Sequence, residues 1–182
     1  MKKRTVTFGT GIGLVISLAM FISYMAAGDP PDFGMMEVVG YTSMILALAA
    51  IFLGIRSRRE EEGGVIPFKR AAMTGLAIAG VAGLVVGLYT FVHVAWIDPD
   101  YGSKYLAWEE QKMMDEGMSQ ATIESNMADY ESMREFFDNP LLQGLIMAAM
   151  IFGMGALISV VSALILSRRG SPRGVEKPIV RH

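Results

Sequence analysis

The chain has 182 residues, of which 52% are hydrophobic and 19% charged, with a mean hydropathy of +0.40. Water-soluble chains carry about 25% charged residues, and here the charges fall in blocks between long uncharged stretches, so the composition is that of a membrane protein. With no cysteine there is no disulfide framework, cysteine nucleophile or thiolate metal site. A balance of 16 basic against 18 acidic residues gives no case for nucleic-acid binding by the chain as a whole.

Four windows lack Asp, Glu, Lys and Arg and are long enough to cross about 30 Å of hydrocarbon at about 1.5 Å per residue: 6–27, 38–55, 71–97 and 141–167. In lipid the backbone must satisfy its own hydrogen bonds, so each window is expected to be a helix. The first window follows Lys2, Lys3 and Arg4 and precedes Ala26, Ala27 and Gly28, the outline of a signal peptide. Its apolar run exceeds the usual h-region, and Met25 is a poor −3 residue for cleavage after Ala27, which favours a retained span; cleavage after Gly28 is the alternative.

Sidedness follows from Lys and Arg in the flanks. Three (Lys2, Lys3, Arg4) precede span one, five (Arg56, Arg58, Arg59, Lys69, Arg70) lie between spans two and three, and five (Arg168, Arg169, Arg173, Lys177, Arg181) follow span four. The other side has only Lys104, Lys112 and Arg134. Both termini are therefore expected in the cytoplasm.

The outer side has a short turn, Gly28 to Glu37, and a long insertion, 98–139, with eleven acids and three bases. In the insertion, Gly117-Met118-Ser119 reads as a helix stop followed by an N-cap. Ile123, Met127, Tyr130 and Phe137 recur at helical spacing, and Asn139-Pro140 reads as cap and first-turn proline of span four. The inner loop, Arg56 to Arg70, is read as a charged turn whose Glu60, Glu61 and Glu62 balance neighbouring arginines. The tail, 168–182, holds two Pro, two Gly and little apolar pattern, which predicts a disordered basic segment near lipid headgroups. Asp-Pro pairs after spans one and three, at Asp29 and Asp98, and Ser-Arg-Arg after spans two and four hint at a parallel repeat of two hairpins.

Small residues recur every fourth position in span three (Gly75, Ala79, Gly83, Gly87) and in span four (Gly155, Ser159, Ala163, Ser167), and Gly9 and Gly13 add a pair in span one. Such rows let helix backbones approach closely in lipid. They serve either packing within one bundle or self-association. His93, about 33 Å along the helix from Ala71, belongs at the outer interface beside Tyr89 and Trp96, as an anchor or hydrogen-bonding group. The spans offer no carboxylate, lysine or arginine for a proton relay or ion-coupling site. Met35, Met36, Met113 and Met114 near His93 are the pattern for a Cu(I) site, but methionine is as frequent inside the spans, so no metal or cofactor is expected. Glu109 and Glu110 point about 100° apart on a helix and form no catalytic pair. No catalytic residue is assigned and the chain is not expected to be an enzyme. An enzyme acting on lipid or envelope substrates would need a pocket joining His93 to Asp98 or Asp100.

The stretch Gly40 to Leu76, GYTSMILALAAIFLGIRSRREEEGGVIPFKRAAMTGL, resembles the central signature of domain of unknown function family 4199 (DUF4199), small bacterial multi-span proteins. The segment with Tyr105 and Gly117-Met118-Ser119, then Asn139-Pro140 and the closing LISVVSALILSRR, is similar to that family's later blocks. The heavy use of Met and the basic tail depart from it. The resemblance implies a bacterial inner-membrane location and no particular activity.

The expected architecture is all-α: a four-transmembrane-helix bundle (residues 1–167) with an extracytoplasmic acidic helical hairpin between helices 3 and 4, then the tail. The expected role is non-enzymatic, an interaction, assembly or modulator subunit. It would work as a homo-oligomer or with another membrane protein in the lipid bilayer, with Trp108, Tyr130 and Phe137 as anchors of the outer surface. The alternative is a small-solute transporter or channel built from the hairpin repeat or by oligomerisation.

Overall fold

The computed structural model describes residues 3–28, 31–134 and 138–167. Asp29, Pro30, Phe137 and the tail at 168–182 lie outside the described residues. Among the described residues the chain is helical throughout its ordered elements: α1 (Lys3–Ala26), α2 (Phe33–Glu61), α3 (Phe68–Val92) running into a π-helical turn (His93–Ile97), α4 (Tyr101–Asp115), α5 (Gln120–Ser132) and α6 (Pro140–Ser167).

Four of these segments, Lys3–Ala26, Phe33–Glu61, Phe68–Ile97 and Pro140–Ser167, are long and apolar enough to cross a membrane. Their outward faces carry Leu14, Leu46, Leu84 and Leu157, each more than half exposed. A bundle built for water would turn such side chains inward; here they face outward all round, as lipid-facing residues do.

Contacts fix the topology. Gly9 meets Ile78 and Val81, and Gly13 meets Ala82 and Val85, so α1 runs parallel to α3. Gly75 meets Ser159 and Gly87 meets Gly144, so α6 runs antiparallel to α3; Ile55 reaches Gly75, while Ile51 reaches Gly155, which itself meets Ala79, so α2 is antiparallel to α3 as well. The core where the four helices meet includes Ile16, Leu48, Ile51, Ile55, Ile78 and Ile151, all essentially buried.

All four membrane-type helices run past the apolar windows, and α1 begins at Lys3 rather than Val6. α2 begins at Phe33 rather than Val38, because Asp32 caps it: Oδ1 accepts from Met35 N at 3.0 Å. It ends at Glu61 rather than Ile55, since Arg56–Glu60 (3.0 Å) and Arg58–Glu62 (2.6 Å) pair four residues apart and prolong it beyond hydrocarbon. The Glu60–Glu62 run therefore belongs to a helix end, and the turn itself is left to Gly63 and Gly64, at φ +82° and +89°. α3 begins at Phe68 rather than Ala71, and α6 at Pro140, where Asn139 Oδ1 accepts from Leu141 N and Leu142 N, both at 3.1 Å.

α4 ends before Gly117, at φ +73°, and Ser119 caps α5 by accepting from Thr122 N at 3.3 Å. α5 is held chiefly against α4, with Ile123 its one buried residue and Asn126 Nδ2 3.3 Å from Met113 Sδ.

Charge separates along the bundle. At one end Arg4 pairs with Glu61 (2.9 Å) and Arg70 with Glu62 (3.0 Å), beside Arg56, Arg58 and Arg59. The opposite end, at Tyr24, Phe33 and Asp98, carries α4 and α5.

Candidate functional site

The end of the bundle that bears α4 is built from five elements. α1 contributes Tyr24 from its last turn, and α2 contributes Phe33 from its first. α3 closes in a π turn, in which Asp98 N donates to His93 O at 2.8 Å. Such widened turns recur at functional sites; this one leaves His93 and Val94 facing inward and buried.

Asp98, only 4% exposed, ties these elements together. Its Oδ2 accepts from the Tyr24 hydroxyl at 3.1 Å and its Oδ1 from Lys104 Nζ at 2.8 Å. The carboxylate beside it in turn holds the Lys104 ammonium above its ordinary range. Tyr89 Oη and His93 Nδ1 share a hydrogen bond at 3.3 Å. The Tyr24 and Tyr101 rings stand edge-on to the His93 imidazole, with centroids at 4.6 and 5.6 Å.

Beneath α4 lies a cavity of about 250 Å³, mostly apolar in lining. Its deep wall includes Ile16, Thr90, His93 and Val94; Tyr101 and Tyr105 form its roof. Burial pushes the Tyr101 hydroxyl up to about 12, with the charges of Glu37 and Asp98 adding to the shift; burial and a hydrogen bond to Glu109 raise Tyr105 further. Neither phenol ionises near neutral pH. Thr90, 7% exposed, is among the lining residues, and its hydroxyl is buried with no hydrogen-bond partner among the described residues. Asp98 and Asp100 do not line it, so His93 and those carboxylates share no open pocket. No group of three or more His, Asp or Glu side chains that could hold a metal ion occurs among the described residues.

Trp108 packs within the molecule. Its ring lies 5.8 Å from both Phe33 and Tyr105, and Lys112 Nζ sits 4.8 Å above it. Phe33 is thereby wrapped by Tyr101, Tyr105 and Trp108, which fastens α4 across the bundle end. Tyr130 is half-buried on α5, and Phe137 lies outside the described residues. Of the small residues, Gly9 and Gly13 face α3, whereas Gly75, Ala79, Gly83 and Gly87 face α6, where they meet Ser159, Gly155, Ala148 and Gly144 in turn. The rows meet inside one copy. The cavity's other polar residues, Tyr24, Glu37, Tyr41 and Thr90, have no signature in the sequence, because their meeting depends on the helix packing.

These features define an all-α protein of unknown function, membrane-type by the length and apolarity of four helices. The family described as "Protein of unknown function (DUF4199)" matches residues 7–168, and the chain belongs to that family. No curated protein and no solved structure matches it.

Proposed function

We propose that the protein is a non-enzymatic subunit or modulator of a bacterial inner-membrane assembly, working as a homo-oligomer or beside another membrane protein. Both termini and the arginine-rich end lie in the cytoplasm, and α4 and α5 form an extracytoplasmic acidic hairpin. The observation that carries this reading is the segregation of charge to opposite ends of the bundle: Arg4, Arg56, Arg58, Arg59 and Arg70 cluster at one, α4 and α5 at the other. Basic flanks are retained on the cytoplasmic side during insertion. α5 fits a recognition element because it is held to the rest of the chain mainly through α4 and leaves Glu124, Asp129 and Glu131 exposed. Its carboxylates would steer a basic partner and set selectivity more than affinity.

A solute path through a single copy is opposed by the core, where Leu48, Ile51 and Ile78 are fully buried between the helices. Two experiments test the proposal. Labelling from outside should reach a cysteine introduced at Ser119 and miss one at Ser57; the reverse pattern overturns the orientation. Crosslinking in native membranes should capture a second chain through positions on α5, and recovery of monomer alone overturns the assembly role.

A further inference from the structure

The cavity beneath α4 has a chemistry that the interaction reading does not use. Five of the six tyrosines in the chain, Tyr24, Tyr41, Tyr89, Tyr101 and Tyr105, line it. Among its lining residues Glu37 carries the one carboxylate, and there is no lysine or arginine. The nearest described cation, Lys104, is held by Asp98 outside the lining. Five methionines complete the wall, soft and able to adapt to an occupant. Electron-rich rings around a single partly desolvated carboxylate attract a cation through both the ring quadrupoles and the charge. An anion would meet Glu37 at close range, and a purely apolar occupant would leave that carboxylate desolvated and unpaired.

The position of the opening narrows the ligand further. Deep residues such as Thr90 and His93 are buried, while the rim residues Tyr41 on α2 and Met150 on α6 are more than two-fifths exposed. The entrance thus lies between two membrane-type helices, on the side that faces lipid. At about 250 Å³ the cavity is below the usual range for drug-sized ligands, about 300–1,000 Å³, so it suits a headgroup whose tail stays between the helices. The acidic segment above, eleven acids against three bases over 98–139, raises the local concentration of cations at this end.

We propose that this cavity binds a lipophilic organic cation, a quaternary ammonium bearing an alkyl chain, which enters sideways from the bilayer between α2 and α6. The headgroup sits among the tyrosine rings with Glu37 as counter-ion, and the chain lies along Tyr41 and Met150.

The test uses the full chain in phosphatidylglycerol nanodiscs, whose lipid carries no quaternary ammonium, with dodecyltrimethylammonium as probe and empty nanodiscs as blank. Saturable binding at one site per chain is expected, with 2,2-dimethyltetradecane, the uncharged carbon isostere, and dodecyl phosphate both failing to compete. Glu37→Gln, which keeps the side-chain shape, should weaken binding at least tenfold. Gly40→Leu is a variant free of any charge effect: Gly40 lines the cavity and a Cβ there meets nothing within 4 Å, so the larger side chain fills the space without a clash and should abolish binding. Both variants should keep the wild-type melting temperature without ligand. Uptake no greater than that of empty nanodiscs overturns the proposal, as does equal competition by the isostere or the phosphate, or unchanged affinity in either folded variant. The outcome is independent of whether a partner chain is captured through α5.

Discussion

Replacing Gly87 by alanine isolates the contact on which the bundle's geometry rests. A Cβ at Gly87 would stand 2.6 Å from the Gly144 carbonyl oxygen and 2.9 Å from Ala148 Cβ, whereas ordinary contact begins at 3.4 Å. The obstacle is backbone on the facing helix, which no side-chain rotation can relieve, so α3 and α6 must part by up to about 0.8 Å at that level. A gap of about 0.5–1 Å forfeits a quarter to a half of each dispersion well along the seam, and overpacking of this kind costs about 1–3 kcal/mol. Alanine's better helix propensity returns about 1 kcal/mol. Gly153→Ala is the matched control on α6: its Cβ meets nothing within 4 Å, so only the propensity gain remains. Gly87→Ala should therefore be less stable than Gly153→Ala by about 1–3 kcal/mol. Equilibrium unfolding in mixed micelles, followed by circular dichroism at matched detergent fraction, gives that difference directly. If the two variants unfold together, or if Gly87→Ala is the more stable, the seam does not hold the bundle as the contacts imply.

Lys104→Met removes one of the two donors to the buried Asp98 carboxylate and should destabilise the chain by about 1–3 kcal/mol; adding Asp98→Asn should restore part of that loss in the same unfolding assay. Glu62 gives a pH dependence. Burial acts to raise its carboxyl, but Arg70 and Arg58 outweigh it and hold the group below its ordinary 4.5. A lowered folded-state value means stability is present above 4.5 and is lost as pH falls through the folded value. Wild type should accordingly melt higher than Glu62→Gln at neutral pH, and the two melting temperatures should converge in acid. Gly117, at φ +73°, should tolerate Asn but lose about 1–2 kcal/mol with Val, read as loosening of α5 by hydrogen exchange.

The membrane-type helices were legible because hydrocarbon excludes charge, and a window free of Asp, Glu, Lys and Arg is therefore a physical signal in itself. Where α2 ends was not legible by that rule. Beyond Ile55 the helix needs only local pairs, Arg56 with Glu60 and Arg58 with Glu62, and those continue it into polar surroundings without any apolar residue. Cap chemistry was readable at Ser119 and Asn139, where one side chain and its own backbone neighbours suffice. At Asp32 the same chemistry starts α2, but the prolines just before it mark the segment as a turn and hide the cap. The π turn at His93 left no trace in the sequence, since it adds one residue to a helix whose apolar pattern is unbroken. The cavity was hidden for a different reason: Tyr24 at the end of α1 and His93 at the end of α3 meet across the bundle, and no local pattern encodes such a meeting.

The small-residue rows and the cavity are linked by packing. Gly83 and Gly87 bring α3 against Ala148 and Gly144 so closely that backbone touches backbone, making a wall of two helices that cannot approach further. On the adjacent face of the same two helices, Thr90 and His93 look across to Met147 and Gln143 with open space between them. α2 meets that wall through Gly54, Ile51 and Ile55 in its second half, and nearer its start it presents Gly40, whose missing side chain leaves the space unfilled. A bundle pinned along one seam and at one end has little to close the remaining corner except flexible methionines. The residue pattern that gives the fold its rigidity thus leaves the corner between α2 and α6 beside α4 open, and any function that needs an adaptable site in this chain has that corner to use.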